Sequence, residues 1–112
     1  MIGDGVKTLP NNFVKNSKIT TISIPNSVTS IGNGAFSGCS ELSRIDSYPK
    51  PDNVLLGESV FKNVPKDKCT LHVGTELYEA YSTAVQWKEF LNIVADLNGV
   101  EGVEVDAATK EV

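Results

Sequence analysis

The sequence repeats itself about every 23 residues, and this periodicity restricts the fold of the chain more than any other feature. A shift of 23 positions places Ile19 on Leu42 and Ile22 on Ile45. After a two-residue insertion within residues 48–52, the match resumes at a shift of 25. Repeats of this length are typical of proteins in which each unit buries its apolar face against its neighbours. The sequence therefore predicts a stack of repeats.

Each repeat opens with an L-x-x-L-x-L pattern, which predicts a short strand. Alternate side chains of a strand point to opposite faces, so Ile22 points inward while Ser23 points outward. Pro25 ends the first strand because proline has no N–H to continue a ladder. The pattern or part of it occurs at residues 19–24, 42–47, 68–73 and 90–95. We expect the inward positions to be buried, namely Ile22, Ile24, Val28, Ile31, Ala35, Phe36, Leu42, Ile45, Leu56, Phe61, Leu71, Val73 and Ile93.

An amphipathic helix over about residues 75–85 is predicted to follow the third strand. Thr75 is a suitable N-cap, and Glu76 and Glu79 lie in the first turns, where acidic side chains stabilise a helix. Such a helix would cover the open end of the stack. The alternative is an aromatic site that stacks on a ligand. Helical spacing relates Leu77, Tyr78, Tyr81, Ala84 and Val85, followed by Trp87 and Phe90.

The outward residues of the four predicted strands form two rows, and these are the candidate binding residues. Asp46 and His72 are neighbours in the second row, so we expect them to form a cross-strand ion pair on an exposed surface. The first row is Thr21, Arg44, Thr70 and Asn92, and the second is Ser23, Asp46, His72 and Val94.

The second row contains the residue types of a catalytic triad in the wrong order. A triad needs the histidine between the serine and the carboxylate, whereas here Asp46 lies between Ser23 and His72. The backbones of Ser23 and His72 would be roughly 10 Å apart, and an exposed parallel sheet supplies neither an oxyanion hole nor a water-excluding pocket. We therefore expect no enzymatic activity.

Charge and cysteine content exclude several other functions. The net charge of −4 arises wholly within residues 96–112, which we interpret as an acidic tail, a linker or the start of another domain. The chain has no basic stripe for nucleic acid and no apolar run that would insert in a membrane. Cys39 and Cys69 have no zinc-ligand spacing, and we expect no metal and no cofactor. Cys39 lies at an inward position, which favours two free thiols, although a disulfide is an alternative.

The first residues have no signal peptide, and no strand pattern precedes the one that starts at Ile19. We therefore expect the Ile19–Ile24 strand to be an exposed edge that frays or self-associates. On this interpretation the chain is part of a longer protein whose further repeats stack on that edge.

Residues 24–39, Ile-Pro-Asn-Ser-Val-Thr-Ser-Ile-Gly-Asn-Gly-Ala-Phe-Ser-Gly-Cys, resemble the BspA-like leucine-rich repeat of bacterial surface proteins. The resemblance covers roughly residues 6–95, and residues 69–75 and 87–94 are similar to the terminal cap of that family. It implies an α/β fold: a right-handed leucine-rich-repeat solenoid over residues 1–95 with short parallel strands, short turns or 3-10 segments and a C-terminal capping helix.

The resemblance also implies an exported protein at the bacterial cell surface with a role in adhesion. We expect a non-catalytic recognition module that binds a protein or glycan on its concave face. The alternative is a structural spacer, with binding carried out by upstream repeats. The concave-face candidates are Thr21, Ser23, Arg44, Asp46, Thr70, His72 and Asn92.

Overall fold

The computed structural model describes residues 5–97, and every strand in this part of the chain is short and parallel to its neighbours. The strands divide into two sheets, one of four strands and one of three. Their bounds are β1 Thr8–Leu9, β2 Thr21–Ile24, β3 Ser30–Ile31, β4 Arg44–Ser47, β5 Leu55–Leu56, β6 Thr70–Gly74 and β7 Asn92–Leu97. A helix, α1, spans Tyr78–Thr83, and 3-10 turns span Pro51–Asn53 and Trp87–Glu89.

The four-stranded sheet has the order β2-β4-β6-β7 and follows the repeat of the sequence. Ile22 lies opposite Ile45, which lies opposite Leu71, which in turn lies opposite Ile93. Each of these side chains points inward because the period-two alternation of a strand is kept in register from one repeat to the next. The strands that the L-x-x-L-x-L pattern predicts are therefore confirmed, including their pairing.

The three-stranded sheet, β1-β3-β5, lies where the sequence indicated only turns. Its strands have two residues each, with Leu9 opposite Ile31 and Ile31 opposite Leu56. Each strand is followed by a six-residue turn, at residues 11–16, 33–38 and 58–63. The second and sixth residues of every turn have positive φ, the left-handed region that favours Gly and Asn. These residues are Asn12, Asn16, Gly34, Gly38, Ser59 and Asn63.

The core runs between the two sheets and is continued by aromatic rings. Phe36 stacks on Phe61 with ring centroids 5.7 Å apart, and Phe61 meets Trp87 at 5.0 Å. Trp87 in turn meets Tyr81 edge-on at 5.0 Å. Eleven of the thirteen inward positions predicted from the sequence are buried. The exceptions, Leu56 and Ile93, lie on the last strands of their sheets and are only partly buried.

The helix is shorter than the sequence indicated, because α1 spans Tyr78–Thr83 and not residues 75–85. Thr75 is not its N-cap; its N–H donates to the carbonyl of Leu97 and ties the end of β6 to β7. The residue before the helix is Leu77, which offers no side-chain cap. The helix ends at Thr83, the backbone of Ala84 is extended, and Val85 is exposed.

Ser47 occupies an inward position where the preceding repeat has Ile24. Its side chain is fully buried, and its hydroxyl donates to the phenol oxygen of Tyr81 at 2.7 Å. The Tyr81 hydroxyl donates to the carbonyl of Pro49, and burial raises the pKa of the phenol above its ordinary value. A buried polar group is tolerated when it is hydrogen-bonded, so Tyr81 on α1 explains the serine in this strand.

Gln86 completes the third turn with its side chain. In the second turn the N–H of Ala35 donates directly to the carbonyl of Gly32 at 3.2 Å. In the third turn the carboxamide of Gln86 lies between the equivalent groups. Its Oε1 accepts from the Val60 N–H at 2.9 Å, and its Nε2 donates to the Gly57 carbonyl at 2.7 Å. The backbone of Gln86 has a φ of 71°, which costs energy for a residue with a side chain.

Two phenylalanines that the repeat aligns provide a test of this packing. Phe36 is fully buried, whereas Phe13 is 36% exposed. We expect Phe36→Ala to lower the free energy of unfolding by about 3–5 kcal/mol because the deletion leaves a cavity. Phe13→Ala should cost less than about 1 kcal/mol. Urea titration followed by circular dichroism measures both, and equal losses would contradict the core described here.

Replacement of Gln86 tests the side-chain closure of the third turn. Gln86→Ala keeps the backbone strain but leaves a part-buried N–H and carbonyl unpaired, so we expect it to cost about 1–3 kcal/mol. Lys88→Ala, an exposed substitution two residues away, is the matched control and should change stability by less than about 0.5 kcal/mol. If the two variants have the same urea midpoint, the carboxamide does not stabilise the turn.

Candidate functional site

The four-stranded sheet places the predicted binding residues in the two expected rows. Thr21 lies opposite Arg44, which lies opposite Thr70, which lies opposite Asn92. The second row is likewise in register. We call this surface the strand face: Thr21, Ser23, Arg44, Asp46, Thr70, His72, Asn92 and Val94. All eight side chains are exposed or half-buried.

The charged groups of the strand face pair differently from the expectation. Asp46 does not bind His72; it accepts a hydrogen bond from Nε of Arg44 at 2.7 Å on the same strand. His72 is paired instead with Asp96, whose two carboxylate oxygens lie 2.8 and 3.0 Å from Nδ1. The predicted Asp46–His72 ion pair is therefore wrong.

Asp96 lies at an irregularity at the end of the sheet. We assigned residue 96 to the acidic tail, but β7 continues to Leu97. The register shifts between Val73 and Gly74, so that Ala95 lies opposite Val73 and Leu97 opposite Gly74. Asp96 is the extra residue between them, and it lies on the outward face of β7 with Val94, beside the imidazole of His72.

The geometry of the strand face offers no nucleophilic catalysis. Ser23 is on β2 and His72 on β6, with β4 between them. Two strand spacings separate their backbones by roughly 10 Å, too far for the serine to give a proton to the imidazole. In the described part of the chain no hydrogen bond joins Ser23 to His72 or Asp46.

Other candidate chemistry is absent from residues 5–97. Within them no cluster of three His, Cys, Asp or Glu side chains is suitable for a metal ion. The same residues contain no helix of the length and apolarity needed to cross a membrane. Cys39 and Cys69 are free thiols, as expected, and both are buried. Burial raises the pKa of the Cys39 thiol and raises that of Cys69 to about 11, which keeps both neutral and unreactive.

An aromatic stacking site, the alternative for residues 77–90, does not form. Tyr81 is fully buried and Trp87 is 1% exposed, so their rings belong to the core. The indole N–H of Trp87 is buried and has no hydrogen-bond partner among the residues described. Tyr78 is half-exposed on α1, and among residues 5–97 no ring contact joins it to a second aromatic side chain.

A groove crosses the six-residue turns, away from the strand face. It consists of two open clefts of about 510 and 290 Å³ that share Glu58, Ser59 and Lys62. We call the two clefts together the turn groove. Sequence reasoning missed it because its residues lie in turns, which carry no periodic hydrophobic signal. The available signal was the recurrence of Asn, Gly and Ser at the left-handed positions.

A third cleft, of about 230 Å³, lies beside Trp87 and has an apolar rim. Leu55 is 75% exposed there and Val85 72% exposed. Isolated exposed hydrophobic side chains are common on protein surfaces, so this pair alone indicates no ligand.

Comparison with known proteins agrees with the repeat. The family described as the BspA-type leucine-rich repeat region, with 6 copies, matches residues 2–88. No curated protein and no solved structure matches the chain significantly.

Proposed function

This chain belongs to the BspA-type leucine-rich repeat family, and we propose that it is a non-catalytic recognition module at the bacterial cell surface. Proteins of this family are usually associated with that surface and are typically non-catalytic. The stack of parallel strands in two sheets supports a right-handed solenoid. The packing of Tyr81 and Trp87 against the last repeat supports the role of α1 as its cap.

In this proposal the strand face contacts a protein partner, as the adhesion role of the resemblance implies. The supporting observation is a four-strand surface on which charged side chains are exposed yet held in place. The side chain of Arg44 is 46% exposed and is ion-paired with Asp46, and that of Asp96 is 49% exposed and is hydrogen-bonded to His72. Neither cleft of the turn groove includes a strand-face residue. A broad, preorganised polar surface favours a protein partner over a small molecule.

A structural spacer is the second candidate function. The observation that favours it is that Arg44 is ion-paired with Asp46 and that His72 is hydrogen-bonded to Asp96. Charged groups that are already paired have less to gain from a partner, because the existing pairs have to be exchanged for new ones. A spacer role predicts that this chain binds no protein on its own.

A binding measurement distinguishes the two candidates. The labelled chain is applied to an array of purified extracellular host proteins, and the dissociation constant of each positive is measured by interferometry. We expect Arg44→Ala to weaken binding at least tenfold, or about 1.4 kcal/mol. Lys50→Ala removes an exposed positive charge outside the strand face and should change affinity less than about twofold. Circular dichroism verifies that both variants fold.

Three outcomes have distinct meanings. Loss of affinity with Arg44→Ala alone supports the strand face. Equal effects of both variants would place the contact elsewhere, and no binding to any protein on the array would support the spacer.

We also propose that the chain self-associates through its β2 end. β2 is an edge of the four-stranded sheet in the described part of the chain. Val6 and Phe13, near this end of the stack, are each 36% exposed. Unpaired strand edges beside apolar side chains pair readily with other chains.

Hydrogen exchange and analytical ultracentrifugation test this proposal together. The amides of residues 71–73, in the middle of the sheet, should exchange more slowly than those of residues 20–24. The sedimentation coefficient should rise with concentration. Uniform protection in a strict monomer would contradict an open β2 edge.

A further inference from the structure

We propose that the turn groove binds a linear, neutral oligosaccharide. This inference rests on the proposed recognition function, but it assigns a second ligand class to a different surface. The groove crosses three successive repeats, since it reaches from Asn12 and Asn33 in the first two turns to Glu58 and Ser59 in the third.

The lining of the groove consists almost wholly of hydrogen-bonding side chains. Among residues 5–97, Phe61 is the sole large apolar residue that lines either cleft, and it is only 1% exposed. The other side chains of the lining carry amides, hydroxyls, ammonium groups or carboxylates. A sugar hydroxyl both donates and accepts, so a surface that mixes donors and acceptors matches a polyhydroxylated ligand.

The first residue of each turn explains why the carboxylate of Glu58, in the third turn, is available to a ligand. Asn11 and Asn33 each use their side-chain oxygen to accept the first N–H of the following turn, at 2.8 Å in both cases. Glu58 occupies the equivalent position in the third turn. Among residues 5–97 its carboxylate makes no hydrogen bond or ion pair, and the same holds for the side chains of Ser59 and Lys62. These three groups are therefore free to bind a ligand.

The backbone beneath the groove is already fixed. The N–H groups of Gly34, Phe36 and Gly38 donate to the carbonyls of the third turn at 2.9, 3.0 and 2.8 Å. A rigid surface loses little conformational entropy when a ligand binds. The lining offers an extended peptide no exposed apolar pocket for an anchor residue, which favours a carbohydrate over a peptide.

The charge of the lining favours a neutral sugar. Three lysines and two glutamates line the clefts, namely Lys15, Lys62, Lys66, Glu58 and Glu89. Lys66 keeps its charge although its Nζ donates to the carbonyl of Phe61 at 2.7 Å, so the lining carries both signs of charge. An acidic glycan would meet two carboxylates, and a cationic ligand would meet three ammonium groups. Either would lose part of its attraction to like-charge repulsion.

The repeat spacing fits a linear chain. Neighbouring strands lie about 4.7–4.9 Å apart, close to the length of one pyranose unit in an extended glycan. A glycan that lies along the stack would place successive sugars over successive turns. The groove is open and offers no exposed ring for stacking, so we expect weak binding with a dissociation constant on the order of 1 mM.

Heteronuclear NMR of the isotope-labelled chain tests the proposal. The probes are cellohexaose, chitohexaose and maltohexaose, each titrated to about 10 mM, with glucose as the single-sugar control. At least one hexasaccharide should shift the amide signals of Asn33, Glu58, Ser59 and Lys62 in a saturable way. The signals of β2 and β4 should stay in place, and glucose should bind at least about tenfold more weakly.

A matched pair of variants tests the residues. Glu58→Ala combined with Lys62→Ala should weaken the hexasaccharide at least about tenfold. Lys50→Ala combined with Glu76→Ala removes the same charges from exposed positions outside the groove and should leave the affinity unchanged. Both double variants keep the net charge, so a difference between them is specific to the groove.

The outcomes separate this proposal from the function of the strand face. No shift with any hexasaccharide, or shifts confined to the strand face, would overturn the groove assignment and leave the Arg44 experiment unaffected. Equal loss in the two double variants would also overturn it. If the groove variants abolish sugar binding while Arg44→Ala does not, the two surfaces are independent. If Arg44→Ala weakens the sugar equally, the groove is not the site.

Discussion

The structure depends on each repeat burying its apolar side chains against the next repeat. A strand such as β2 has only two inward side chains, Ile22 and Ile24, and these cannot form a core alone. They become buried because β4 brings the corresponding residues of the next repeat into register beside them. The same demand acts at the second sheet, where Leu9, Ile31 and Leu56 line up although each strand has only two residues. In-register stacking therefore determines both sheets.

At the β7 end of the stack no further repeat follows in the described part of the chain, and polar side chains form the hydrogen bonds that a next repeat would otherwise form. The four-stranded sheet continues to β7, whereas the three-stranded sheet ends at β5. Among residues 5–97, the turn after β5 therefore has no following turn with which to form hydrogen bonds. Gln86 fills that gap with a carboxamide, which has the same donor and acceptor as a peptide group. Tyr81 acts similarly where Ser47 would leave a polar group in the core. The chain after β6 thus supplies hydrogen-bond partners to buried backbone and side-chain groups, and it also covers the aromatic rings of the core.

The parts of the fold that were predictable are those set by periodicity. In the sheet register, Thr21 lies opposite Arg44 and Asp46 lies opposite His72. Both positions follow from counting residues, because register is strongly specified when one face is buried. Side-chain partners were not predictable in this way. Arg44 takes Asp46, since residues two apart on a strand share a face. Asp96 shares the outward face of β7 with Val94, but it lies beyond the residues that the repeat pattern assigns to a strand, so its contact with His72 could not be predicted.

The two candidate surfaces differ in how tightly the fold controls their side chains. On the strand face, charged groups are engaged with each other, so a partner has to compete with the Arg44–Asp46 and His72–Asp96 pairs. In the turns, the fold demands only the left-handed backbone positions and the asparagine oxygen that joins one turn to the next. Glu58 is the first residue of the third turn. No described turn follows it, so a side-chain oxygen at this position has no N–H of a next turn to accept. A side chain released from a structural role can change without cost to stability, which is what a surface that adapts to ligands requires.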